Sequence, residues 1–351
     1  MDAIAKIAAA LPENSAALIM TEHNRRYACG FKSSLGYLFI SRAESALYVD
    51  SRYFEAAERQ VKNVAVRPLG RLADAMRDFL QNRFACLYLE DEITVAVRRQ
   101  IVSLCDIPVA DDSLLSELLH RLRAVKSAAE VDAVLRAQRI AEAAFDQLLP
   151  QIRPGVCERE LAIELDYTMR RLGADDLSFE TIVVSGENSS MPHGVPGDRK
   201  LQNGDFITFD FGAVKDGYHS DMTRTVALGG CSAEMRSVYE TVKTAGERCL
   251  AALCAGLSCK AADAVARDYI TQAGYGDCFG HGTGHSVGLE IHESPNLSPS
   301  SDAVLQVGNL VTVEPGIYLP GKFGVRIEDM ALICESGCKN LTNTPKELLI
   351  L

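Results

Sequence analysis

The chain has 351 residues, of which 47% are hydrophobic, enough to build two packed cores. Its net charge of −11 excludes nucleic acid and anionic membrane surfaces as partners held by attraction. Eleven cysteines, an odd number with no CxxC pair, exclude a disulfide framework and read as small buried hydrophobes of a reducing, cytoplasmic compartment.

The opening run MDAIAKIAAALPENSA is apolar over a short reach, carries Asp2 and Lys6 and is broken by Pro12. It reads as a helix and not as a membrane span. AALIM follows as a strand, and GYLFIS and ALYVD pair as a hairpin around Arg42 to Ser45. The helical runs DSRYFEAAERQ, RLADAMRDFLQ and TVAVRRQIVSL then alternate with the strands VAVRP and ACLYLE, an order that predicts a mixed sheet flanked by helices. A helix through Leu114 to Arg123 leads to Ser127, an N-cap candidate with Glu130 three residues on. The boundary between a first domain, 1–123, and a second, 124–351, is placed there.

The second domain carries an internal repeat. In its first half Ser127 opens a helix, Pro154-Gly155 turns the chain and a second helix stops at Gly173; in its second half Ser232, Ala255-Gly256 and Gly274 play the same parts. Each half runs on into strands. The segment ITFDFGAVKDGYHSDMTRTV reads as two strands around Asp216-Gly217, a dipeptide suited to a hairpin turn, so that Asp210 and Asp221 face each other. His285 lies in a glycine-marked segment, HGTGHSVGLE. Glu314 ends the run NLVTVEPG and Glu328 ends GVRIED, both at strand ends.

Taken singly, each acid reads as a solvated turn or strand-end residue, and His285 as a packed core histidine. Together, Asp210, Asp221, His285, Glu314 and Glu328 form a hard, oxygen-rich donor set that suits Mn²⁺ or Co²⁺ and tolerates Zn²⁺. Carboxylates roughly 4 Å apart repel by about 4 kcal/mol per pair at an effective dielectric near 20, so charge balance calls for two divalent ions. His219, two residues before Asp221, reads as a solvated hairpin histidine, and His23 and His120 as structural residues.

Seven segments carry a resemblance that covers essentially the whole chain: PHG at 192–194, DFG at 210–212, SDMTRT at 220–225, HGTGH at 281–285, HES at 292–294, EPGIY at 314–318 and VRIED at 325–329. They resemble the pita-bread metallopeptidases, and within them the aminopeptidase P and prolidase branch. The first 123 residues, with Gly30-Phe31 and DSRYFEAA, resemble the creatinase/prolidase-like amino-terminal domain of that branch. The resemblance implies an α/β (α+β) protein with a small mixed-sheet domain followed by a pita-bread catalytic domain of pseudo-two-fold symmetry. It also implies a hydrolase that releases the residue before proline from short proline-containing peptides, with two divalent ions on the five side chains named above, Mn²⁺ foremost. By the same resemblance, His193 lines the substrate pocket, His281 shapes its wall, and His292 contacts the scissile amide or the developing oxyanion. Glu314 doubles as general base, Arg326 orients a ligating carboxylate, and the protein is a homodimer. A prolidase restricted to Xaa-Pro dipeptides and a metal-free binding module of the same fold stand as alternatives.

Overall fold

The computed structural model describes residues 2–81 and 83–351. Two compact units divide the chain, the first ending at Arg123 and the second running Ala124–Leu351.

In the first unit β1 (Ser15–Ile19), β2 (Tyr37–Ser41), β3 (Ser45–Val49), β4 (Ala65–Pro68) and β5 (Cys86–Leu89) form one sheet in the order β4-β3-β2-β1-β5. The pairs β1/β5 and β3/β4 are parallel and the rest antiparallel, the mixed sheet expected from the alternating runs. Every residue of β1 is buried, because its apolar run is covered on both faces. Ile7, Ile40, Leu47 and Leu119 belong to the core on one face, and Phe39, Phe79 and Leu87 to that on the other. The helices supplying those faces are α1 (Ala3–Ala10), α2 (Glu22–Cys29), α3 (Phe54–Gln60), α4 (Leu72–Leu80), α5 (Val95–Leu104) and α6 (Leu114–Ala124). His120 pairs with Glu92 at 2.8 Å here, a structural contact.

The second unit opens with α7 (Ala128–Leu148), capped by Ser127 and Glu130 in a reciprocal capping box. Then come α8 (Glu158–Arg171), β6 (Asp176–Leu177), β7 (Ile182–Ser185), β8 (Phe206–Phe211), β9 (Ala213–Lys215), β10 (Tyr218–His219) and β11 (Met222–Ala227). The second half runs α9 (Ala233–Ala252), α10 (Cys259–Gln272), β12 (Gly284–Ser286), β13 (Glu293–Leu297), β14 (Leu310–Val313), β15 (Gly316–Leu319), β16 (Phe323–Arg326), β17 (Asp329–Ile333) and β18 (Cys338–Asn340). Helix α7 buries Val134, Ala137, Ala141, Ala144, Phe145 and Leu148 at helical spacing. Phe145 meets Phe209 and Phe211 of β8 at 5.3 and 5.5 Å. Helices α9 and α10 likewise bury Val242, Ala245 and Ala266 with Val311, Val313 and Val325.

The halves repeat one another in detail. Helices α7 and α9 have 21 and 20 residues, and α8 and α10 have 14 each. Gly155 and Gly256, at φ +90° and +88°, donate backbone N–H groups to Leu201 and Leu305. Later turns, at Gly204 (φ +93°) and Gly308 (φ +91°), lead into the central strands β8 and β14. Asp210 is the fifth residue from the start of its strand, and Glu314 holds the same place in the other half.

The turn at Asp216 (φ +50°) and Gly217 (φ +75°) takes the double positive φ of a tight hairpin. The register corrects one expectation: Asp210 pairs with Thr223, so Asp221 lies diagonally from it on the same face and not directly opposite. Asp221 falls across from Gly212, and a Cβ there would lie 1.9 Å from the carbonyl oxygen of Ser220. Gly212→Ala must therefore push the two strands apart. We expect a loss of roughly 1–3 kcal/mol, read as a thermal midpoint several degrees lower, with weaker metal retention. An unchanged midpoint would show that the close approach does not matter.

Candidate metal centre

Asp210, Asp221, His285, Glu314 and Glu328 line a single cavity of about 610 Å³ that also takes in His193, His281, His292 and Arg326. The structure thus brings all nine sequence-derived positions to one place. Asp210 comes from β8, Asp221 from the residue before β11, His285 from β12 and Glu314 from the residue after β14. Glu328 sits in the link from β16 to β17, two residues past the strand it was expected to end. Donor atoms of Asp221, His285 and Glu328 lie within 4.8 Å of one another. His285 Nε2 is 3.5 Å from Asp221 Oδ2 and 3.4 Å from Glu314 Oε1.

Four of these five side chains, Asp210, His285, Glu314 and Glu328, are held from behind. Arg326 donates from Nη2 to Asp210 Oδ2 at 2.6 Å, from Nη1 to the Tyr318 hydroxyl at 2.8 Å and from Nε to Thr223 Oγ1 at 3.0 Å. Thr223 passes the constraint on, donating to Glu328 Oε2 at 2.8 Å. Thr312 accepts from the His285 backbone N–H and donates to Glu314 Oε1 at 3.1 Å. The His285 Nδ1–H faces the Ser286 carbonyl at 3.2 Å, which leaves the Nε2 lone pair toward the acids. Burial pushes the His285 imidazole below its usual pKa, so it is neutral near pH 7. His281 Nδ1 faces the Gly282 carbonyl at 2.8 Å, and its Nε2 accepts from Tyr318 at 2.9 Å. Burial likewise lowers the His281 and His292 imidazoles.

Three residues in this lattice, Thr223, Thr312 and Tyr318, carry no role in the sequence reading. Thr223 and Tyr318 stand inside the SDMTRT and EPGIY segments, and only their contacts give them one. His219 is corrected: it is half-buried, its N–H bonded to the Gly288 carbonyl at 2.8 Å, and it lies outside the cavity lining.

The donor set fits cations. Asp210 Oδ1 and Glu328 Oε1 are buried without any hydrogen-bond partner, a costly condition for a carboxylate oxygen unless a cation meets it. Burial first, and then the neighbouring acids, push Asp221 and Glu328 well above the ordinary carboxylate range, and burial also raises Glu314. Like charges packed so closely hold protons until a metal displaces them.

Residues 132–335 match Metallopeptidase family M24, and residues 6–139 match the Creatinase/Prolidase N-terminal domain. The chain belongs to family M24. Its members are metallopeptidases that work with divalent ions, and the catalytic unit has their pita-bread fold. The chain is 36% identical over 314 residues to an Xaa-Pro dipeptidase of Pyrococcus furiosus, covering 90% of this chain and 89% of that one. Among solved structures, the Xaa-Pro dipeptidase from Bacillus anthracis superposes with a TM-score of 0.95 at 40% identity, covering 99% of each chain. The X-Pro aminopeptidase from Thermotoga maritima superposes at 0.89 and 37% identity, covering 96% of this chain and 97% of that one. In this M24 chain no described helix is long and apolar enough to cross a membrane.

The raised carboxyl groups set a pH dependence. In the metal-free protein the folded state keeps protons that the unfolded chain releases at ordinary carboxylate pKa values. The folded state therefore binds more protons, and its stability falls as pH rises from that range through the raised pKa values. Metal should abolish this loss and release protons as it binds. Calorimetric titration of metal into the metal-free protein, in buffers of different ionisation enthalpy, should show that release. A buffer-independent heat at neutral pH would contradict it.

Proposed function

We propose that the chain is a dinuclear-metal Xaa-Pro aminopeptidase, removing the residue before proline from the amino terminus of short peptides. The observation that favours peptides extending past proline is the charge of the cavity wall. Among its described lining residues Arg326 is the one Arg or Lys. It is 5% exposed and committed to Asp210, Thr223 and Tyr318. No cation is left over to grip the carboxylate that a dipeptide carries directly on its proline, and Glu180, Asn296 and Ser298 stand on the wall instead. The strict dipeptidase reading draws on the similar proteins bearing that name and is the second reading.

Asp210, Asp221, His285, Glu314 and Glu328 hold the ions in this reading, with Mn²⁺ favoured by four oxygen donors to one nitrogen and Co²⁺ or Zn²⁺ admitted. When bound, two such ions supply an acidified water and a Lewis acid toward the scissile carbonyl. Glu314 accepts the proton of the attacking water and delivers it to the proline nitrogen, which has no hydrogen of its own and must be protonated to leave. His292, a neutral imidazole on the exposed side of the cavity, donates an N–H to the developing oxyanion, while His193 and His281 bound the space around the substrate. Arg326 fixes the Asp210 carboxylate.

Eleven cysteines, all as free thiols, support a reducing cytoplasm as its compartment. A homodimer is the assembly expected from the family likeness.

Purified protein given Ala-Pro and Ala-Pro-Ala, with chelator and with added Mn²⁺, should prefer the tripeptide and lose activity to the chelator. A strict preference for Ala-Pro would establish the second reading. Glu314→Gln should fold and lose several orders of magnitude in turnover. His292→Ala should lower kcat by about 10²–10³ with metal content unchanged, and loss of metal would make His292 a ligand.

A further inference from the structure

His285 and His292 stand at the two ends of the loop that joins β12 to β13, and their rings meet edge to face at 4.4 Å between centroids and 74° between planes. The residues following each, Ser286 and Glu293, are direct cross-strand partners, although the register shifts at His285/Ser286. Successive side chains on a strand point to opposite faces. The two histidines line the cavity, and Ser286 and Glu293 are absent from its lining.

On that rear face sits a buried ammonium. Lys126, from the segment before α7, donates to Ser286 Oγ at 2.9 Å and to Glu293 Oε2 at 3.0 Å. Its side chain is 1% exposed and that of Glu293 5%. Neither partner is loose. The Lys126 N–H donates to the Gly308 carbonyl, and the Ser286 hydroxyl donates to the Leu310 carbonyl at 2.8 Å. The other oxygen of Glu293 accepts the backbone N–H groups of Leu289 and Glu290 at 2.9 and 3.2 Å, so the carboxylate caps the very loop it follows. Gly288 makes room for it, since a Cβ there would lie 2.5 Å from Glu293 Oε2. One ion pair therefore ties both strands and the turn between them.

We propose that Lys126 and Glu293 are positioning residues for His292, holding its ring at the reaction centre by clamping the loop from behind. A buried ion pair is weak support for stability, because desolvating two charges offsets their attraction. Its value here is geometric. The inference rests on the oxyanion role given to His292 in the reading above.

The test uses the full chain with its metal and a neutral, near-isosteric pair, Lys126→Met with Glu293→Gln, which buries no unbalanced charge. kcat should fall about 10- to 100-fold with KM within about twofold, the pattern for losing an interaction made only in the transition state. Added to His292→Ala, the same pair should cause no further loss, because both act through one ring. Glu293→Asp, which keeps the charge but shortens the arm, should show the same non-additivity if the neutral pair does not fold. In metal-free protein, hydrogen exchange over residues 286–293 should quicken several-fold. Unchanged kcat in a folded variant, or losses that multiply with His292→Ala, would overturn the proposal. Unchanged exchange would overturn it even in a protein without peptidase activity, an outcome that would separately end the functional reading.

Discussion

Four candidate ligand carboxylates are gathered into one cavity whose described lining offers a single, already committed guanidinium. Among the donors that lie within 4.8 Å of one another, two ionised carboxylates repel by about 3.5 kcal/mol at an effective dielectric near 20. A fold of ordinary marginal stability cannot carry several such pairs unbalanced. Either the acids keep their protons or cations enter, and the oxygens of Asp210 and Glu328 buried without a hydrogen-bond partner suit a cation. The surrounding network is built around that need: Arg326 takes one oxygen of Asp210, Thr223 one of Glu328 and Thr312 one of Glu314, each leaving the second oxygen free for the cavity.

The scaffold meets the demand by duplication. Two helix pairs of nearly equal length each cover a small antiparallel sheet, and each brings an acid five residues along from the start of its central strand, Asp210 within β8 and Glu314 just past the end of β14. Candidate ligands from distant parts of the chain converge because the two sheets share one cavity, not because any local segment makes a site. Contacts between residues distant in sequence complete it: Glu328 donates its N–H to the carbonyl of Thr223, and Arg224 reaches the Glu328 carbonyl and the Asp329 carboxylate.

Much of this was legible beforehand, for identifiable reasons. The Asp216-Gly217 turn, the Ser127–Glu130 capping box and the glycine punctuation of the repeat are local chemistry, and local chemistry survives folding. The five candidate ligands were legible because each stood in a short Gly- or Pro-marked segment that reads as a strand or strand end. What escaped was tertiary. A diagonal in place of a direct Asp210–Asp221 relation depends on register, and the half-buried His219 on the contact of its N–H with the Gly288 carbonyl. Thr223, Thr312 and Tyr318 are ordinary strand residues until the partners across the sheet are known. The Lys126–Glu293 pair joins residues 167 apart, and nothing near either one announces it.

The central claim is that these side chains hold a pair of cations. Crystals of the protein equilibrated with Mn²⁺, measured at the manganese absorption edge, test it most directly. Two anomalous peaks bounded by Asp210, Asp221, His285, Glu314 and Glu328 are the expected result. No peak there, or manganese bound only elsewhere on the molecule, would contradict it.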